Sequence, residues 1–104
     1  MEELATQFKA LSDPARLKIL DFLLEPDRSC CTHEEGVCAC DVEGVLGLSQ
    51  PTVSHHMKLL AQAGFITAEK RGRWAFYTIN PDAFRVLAGS LERYRLVPVP
   101  AYCC

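Results

Sequence analysis

Ser49-Gln50-Pro51-Thr52-Val53-Ser54-His55-His56-Met57-Lys58-Leu59-Leu60 is the stretch on which the fold of this chain turns. Val53, Met57 and Leu60 recur at i, i+4 and i+7, the single apolar stripe of an amphipathic helix. Ser49 suits an N-cap, Pro51 a first turn and Gly64 a stop, so a helix is predicted over residues 50–63. With that stripe turned inward, Gln50, Thr52, Ser54, His55 and Lys58 remain at or beside the outer face, with Ser49 at its start. Few of them are the charged residues that usually solubilise a helix. Gln can pair with adenine in two places, Ser and Thr can serve bases or phosphates, and Lys58 suits a phosphate. Such a face is suited to reading DNA rather than only to being solvated. His55 is expected to touch DNA and His56 to lie half-buried against the second helix. Neither has metal-site spacing with another histidine.

Upstream, a short helix at about residues 40–46 with Val42, Val45 and Leu46 inward, then a turn at Gly47, completes a helix-turn-helix. Leu4, Phe8 and Leu11 at helical spacing predict a first helix, which Ser12-Asp13-Pro14 ends. Asp13 is then the N-cap of a second helix over residues 14–24, offering Leu17, Ile19, Leu20, Leu23 and Leu24 for burial. Residues 27–37 lack periodicity and read as a loop carrying Cys30, Cys31 and His33. Downstream, residues 65–70 and 73–79 are aromatic and β-branched runs about Arg71-Gly72, a two-stranded hairpin signal. Trp74 and Phe76 share a strand face, expected to be the core side. Lys70, Arg71 and Arg73 crowd the hairpin tip, suited to phosphate or the minor groove and, alternatively, to protecting a sheet edge. A last helix over residues 81–96, capped by Asn80, carries Phe84, Leu87, Ala88, Leu91 and Tyr94 on one side. The fold class expected is mainly α with a small β-hairpin: a dimeric winged helix-turn-helix over residues 1–96. Residues 97–104 form a cysteine-bearing tail with two prolines.

One small domain of 104 residues buries a modest fraction of its surface and gains from dimerisation. Leu4, Phe8, Leu87, Leu91 and Tyr94 supply the apolar surface for a homodimer through the first and last helices. The net charge of −2 is unusual for a DNA binder, but phosphates feel the local field, and Lys58, Lys70, Arg71 and Arg73 lie close together while the acidic residues concentrate elsewhere. Six cysteines in close pairs could suggest a secreted disulfide scaffold. Against it, residues 1–4 lack a basic start and an apolar run, and aliphatic content suffices for a core. The expectation is cytoplasmic, reduced thiols that bind something, with no membrane partner, since no apolar run approaches a span. An oxidoreductase would place its cysteine on a strand-to-helix turn of a parallel sheet, and no βαβ pattern exists here, so an enzyme is not expected.

Cys38 and Cys40 stand immediately before the helix-turn-helix. Two positions apart they are separated by about 200° on a regular helix, but at a helix entrance both sulfurs can converge. The helix N-terminus favours thiolate, and soft thiolates select soft ions.

The chain resembles the ArsR/SmtB family of small dimeric repressors that sense metals and arsenic. The likeness is carried by Leu11-Ser12-Asp13-Pro14-Ala15-Arg16-Leu17-Lys18-Ile19-Leu20, Val37-Cys38-Ala39-Cys40-Asp41-Val42, the stretch from Leu48 to Leu60, Ala63-Gly64-Phe65-Ile66 and Gly72-Arg73-Trp74. It implies a repressor that holds double-stranded operator DNA and releases it when As(III), or alternatively Sb(III), binds cysteine thiolates. Trivalent organoarsenicals, cadmium, lead, mercury or zinc, and thiol oxidation, are the other inducers it leaves open. Several arsenic-responsive relatives add a third cysteine three residues after the second, a position held here by Glu43. A three-sulfur site then needs a sulfur from elsewhere, Cys30 or Cys31 first, Cys103 and Cys104 less readily. The family's other site uses Asp and His on the last helix, which here contains no histidine.

Overall fold

A computed structural model describes residues 1–26 and 36–98. Its elements run α1 (Glu2–Leu11), α2 (Pro14–Leu24), β1 (Val37–Cys38), α3 (Ala39–Leu46), α4 (Gln50–Gln62), β2 (Ile66–Arg71), β3 (Trp74–Ile79) and α5 (Pro81–Arg95). Each break has a local cause. Asp13 is extended at φ −108° and its carboxylate accepts the Ala15 N–H at 2.8 Å, while Pro14 opens α2 where no N–H is needed. Gly47 ends α3 in the left-handed region at φ +66°, its N–H reaching the Glu43 carbonyl at 2.9 Å. Three residues later α4 begins, which is the helix-turn-helix spacing.

The N-caps are not equivalent. Ser49 makes no side-chain bond to the backbone of α4; its Oγ lies 2.9 Å from Thr52 Oγ1. Asn80 likewise caps nothing, and its Nδ2 instead donates to the Gly64 carbonyl at 2.9 Å, tying the start of α5 to the end of α4. Asp13→Ala should therefore cost about 1 kcal/mol in urea unfolding, and Ser49→Ala less than about 0.5 kcal/mol. Equal losses at the two positions would contradict this difference.

The core lies between α2, α3 and α4 and the base of the sheet, with Ile19, Val42, Val53, Leu60 and Phe65 wholly buried. Phe84 of α5 stacks on Phe65 at 4.7 Å between ring centroids. Among the described residues the sheet has three strands, not two, in the order β1-β3-β2, all antiparallel. Val37 and Cys38 pair with Tyr77 and Phe76, so the loop expected over residues 27–37 ends in a strand at its last position. A two-residue strand is too short for periodicity to reveal. The third helix correspondingly starts at Ala39, with Cys38 as its N-cap.

Several expected inward positions face out. Trp74 and Val45 are exposed, as are Leu17 and Leu24 of α2, which buries Ile19 and Leu20 as expected and Arg16 and Phe22 besides. Trp74 stands at the far end of the hairpin beyond the reach of the core, whereas Phe76, on the same face, lies over it. The hairpin turn is Gly72-Arg73, one residue later than Arg71-Gly72, because Arg71 pairs with Trp74 in the ladder and Gly72 takes φ +63°.

Candidate nucleic-acid interface and thiol site

Every residue expected to meet DNA is exposed: Ser49, Gln50, Thr52, Ser54, His55 and Lys58 on α4, and Lys70, Arg71 and Arg73 on the hairpin. Val53, His56, Met57 and Leu60 form the buried side of α4, leaving its N-terminal half to project side chains outward. His56 is more deeply held than expected. Its Nδ1 lies 3.0 Å from a terminal nitrogen of Arg16, and because a guanidinium only donates, Nδ1 accepts and the ring proton sits on Nε2. The same buried guanidinium donates from Nε to the Ala10 carbonyl at 2.6 Å and from its other terminal nitrogen to the Lys9 carbonyl at 3.3 Å. One side chain thus fastens the end of α1, the start of α2 and the middle of α4. Periodicity could not reveal it, since Arg is normally a surface residue.

In the hairpin, Ile66 is buried at the base and β2 is exposed from Thr67 onward, so the wing stands clear of the body. Arg71 is not a free charge: it bonds Glu69 at 3.2 Å through two nitrogens and its guanidinium lies 5.7 Å from the Phe76 ring centre. Arg73 occupies the turn itself.

Beside the reading head, β1 delivers Cys38 and the first turn of α3 delivers Cys40. The two are joined as a disulfide, with their Cα atoms 5.4 Å apart. The convergence expected at a helix entrance is therefore realised. Asp41 completes the group: one ligand atom from each of Cys38, Cys40 and Asp41 lies within 4.8 Å of the others. Asp41 is almost fully buried, and its carboxylate accepts the Cys38 N–H at 3.0 Å, the bond that holds the strand-to-helix corner. The sequence signal was available, because an acid three residues after an N-cap matches a capping box. In the reduced state the corner would offer two soft sulfurs and a hard oxygen, a donor set that fits a thiophilic ion. Cys30, Cys31, Cys103 and Cys104 lie outside the described residues. Among the described residues, no helix is long and apolar enough to cross a membrane.

A helix-turn-helix with an exposed reading helix, followed by a basic hairpin, defines a winged helix-turn-helix DNA-binding protein. The sequence pattern of the bacterial regulatory protein arsR family matches residues 13–68, and the chain belongs to that family. It is a DNA-binding transcriptional regulator and not an enzyme. It is 44% identical over 91 residues to the arsenical resistance operon repressor of Staphylococcus xylosus, covering 88% of this chain and 79% of that one. It is 36% identical over 73 residues to the cadmium resistance transcriptional regulatory protein CadC of Listeria innocua, covering 70% of this chain and 55% of the relative. Among solved structures, the homodimeric winged helix-turn-helix domain Mb0332 from Mycobacterium bovis superposes with a TM-score of 0.66 at 24% identity, covering 90% of this chain and 80% of that one.

Proposed function

We propose that this regulator binds a twofold-symmetric operator as a homodimer and releases it when As(III), or Sb(III), engages Cys38 and Cys40. The observation that carries this reading is the convergence of those two sulfurs at the entrance of α3, the helix that supports the reading helix. When bound, trivalent arsenic supplies a soft centre that takes up to three thiolates. Cys38 and Cys40 provide two. Glu43 stands where a third cysteine occurs in some relatives, so one of Cys30 or Cys31 is assigned the third place, with Cys103 and Cys104 as less favoured alternatives. Drawing a sulfur from residues 30–31 onto this corner pulls on β1 and on the first turn of α3. Val42 and Val53 share the core, so a shift of α3 is passed to α4. The pairing of Cys38 with Phe76 offers a second path, into the wing strand β3.

Phe8, Leu91 and Tyr94 are exposed apolar residues on α1 and α5 and support dimerisation through those helices. Leu87, also expected there, is buried within the protomer. The homodimeric Mycobacterium bovis domain supports the same assembly. The cytoplasm is the compartment that suits operator binding and reduced thiols.

A gel shift of operator DNA with reduced protein tests the reading. Loss of the shifted band in arsenite supports it. A band that survives arsenite but is lost in cadmium would assign the alternative ion, as the Listeria innocua relative suggests. A band indifferent to both would end it.

The wing has its own expected result. Arg73→Ala should lower affinity across all sequences and reduce the slope of log K against log salt by about 0.9 for each lost phosphate contact. Arg71→Ala should change the slope less, because Glu69 already compensates that charge. An unchanged slope in the double variant would take the wing off the phosphates.

A further inference from the structure

We infer that Cys38 and Cys40 are also a hydroperoxide-oxidised dithiol, and that their disulfide blinds the repressor to metalloid while leaving it on DNA. The second half rests on the ligand site proposed above; the first does not. The two cysteines are joined in the structure, and their Cα separation of 5.4 Å lies in the usual range for a disulfide. The joined state is compatible with an intact reading head. The β1–β3 pairing, α3 from Ala39 to Leu46, the Gly47 turn and α4 are all formed with the disulfide in place.

The two sulfurs are not equally accessible. Cys38 is 2% exposed, lying on the strand under the corner, while Cys40 in the first turn of α3 is only partly buried. Cys40 is thus the thiol that a small peroxide reaches. Its sulfur attacks one peroxide oxygen; the S–O bond forms, the O–O bond breaks, and the first water leaves, giving a sulfenic acid. The Cys38 sulfur then attacks the Cys40 sulfur; the S–S bond forms, the S–O bond breaks, and the second water leaves. Two thiols have lost two electrons to one peroxide. Cys38 stands beside the sulfenic acid before a second peroxide arrives, which favours the reversible disulfide over irreversible oxidation.

Arsenic–sulfur bonds need the same two sulfurs reduced. Oxidation and metalloid binding are therefore mutually exclusive at this corner. Oxidative conditions would keep the operator closed even in arsenite, until a dithiol reductant reopens the site.

The test uses the full chain on operator DNA, treated with hydrogen peroxide, alkylated with N-ethylmaleimide and mapped by peptide mass. The expected product is a Cys38–Cys40 disulfide, with DNA still bound, arsenite-driven release lost, and release restored by dithiothreitol. Cys38→Ser should accumulate a dimedone-reactive sulfenic acid at Cys40, whereas Cys40→Ser should label at Cys38 roughly tenfold or more slowly, as its burial dictates. Both thiols still alkylated after peroxide, pairing with other cysteines instead, or faster labelling at Cys38 would overturn the redox site. Release of DNA by peroxide alone would overturn the blinding. A mapped disulfide in a protein whose reduced form ignores arsenite would support the redox chemistry and overturn only the metalloid reading.

Discussion

The double variant Cys38→Ser, Cys40→Ser should hold operator DNA as tightly as the wild type and fail to release it at any arsenite concentration that empties the wild-type complex. The thiols stand beside the reading head, not on it: the residues expected to touch DNA lie on the exposed face of α4 and on the wing. Serine oxygen replaces sulfur at similar size but is a poor ligand for a soft ion. The expected loss is the whole switch, which for a coupling of roughly 1 to 3 kcal/mol means a 5- to 150-fold change in affinity that no longer occurs. Fluorescence anisotropy of a labelled operator reads it directly. If the double variant lets go at the wild-type arsenite concentration, this corner is not the switch and the Cys103-Cys104 pair becomes the leading candidate.

Arg16→Met should be the most damaging change away from the thiols. Arg16 is 9% exposed, and its guanidinium supplies donors to the Lys9 and Ala10 carbonyls and to His56 Nδ1. Its removal leaves these acceptors without their donor, at a cost of roughly 2 to 4 kcal/mol. It also frees α4 from α1 and α2, so operator affinity should fall more than the loss of one positive charge explains. Replacing both partners by apolar groups spares part of the unsatisfied-acceptor cost, so Arg16→Met with His56→Leu should recover about 1 kcal/mol relative to the additive sum. Urea unfolding of the four proteins in this cycle measures it. Strict additivity, or a single variant within about 0.5 kcal/mol of wild type, would show that the Arg16–His56 contact does not fasten the reading helix.

These two sites mark where the sequence could be read and where it could not. The helices were legible from apolar residues at helical spacing and from the punctuation at several of their ends: Asp13-Pro14, Gly47, Pro51 and Gly64. The reading face of α4 followed from the stripe, since fixing Val53, Met57 and Leu60 inward leaves little choice for Gln50, Ser54 and His55. The convergence of Cys38 and Cys40 was legible from their place at a helix entrance. Periodicity failed where an element is too short to repeat, as in β1, or where burial is decided by a distant partner. Trp74 belongs to the second case: its strand face was read correctly, but the core ends before the hairpin does. Arg16 was missed as a structural residue because a charged side chain inside a core is an exception that only its partners explain, and Asp41 because its N-cap partner is a cysteine rather than the usual Ser or Thr.

Linkage supplies the most direct measurement of whether thiol occupancy and DNA binding are one coupled event. If arsenite weakens the hold on the operator, the operator must weaken the hold on arsenite by the same factor. Arsenite affinity of the reduced dimer, followed through its thiolate-to-arsenic absorption with and without saturating operator DNA, should be about 5- to 150-fold weaker on DNA. Equal affinities in the two states would contradict the account, however tightly the cysteines bind.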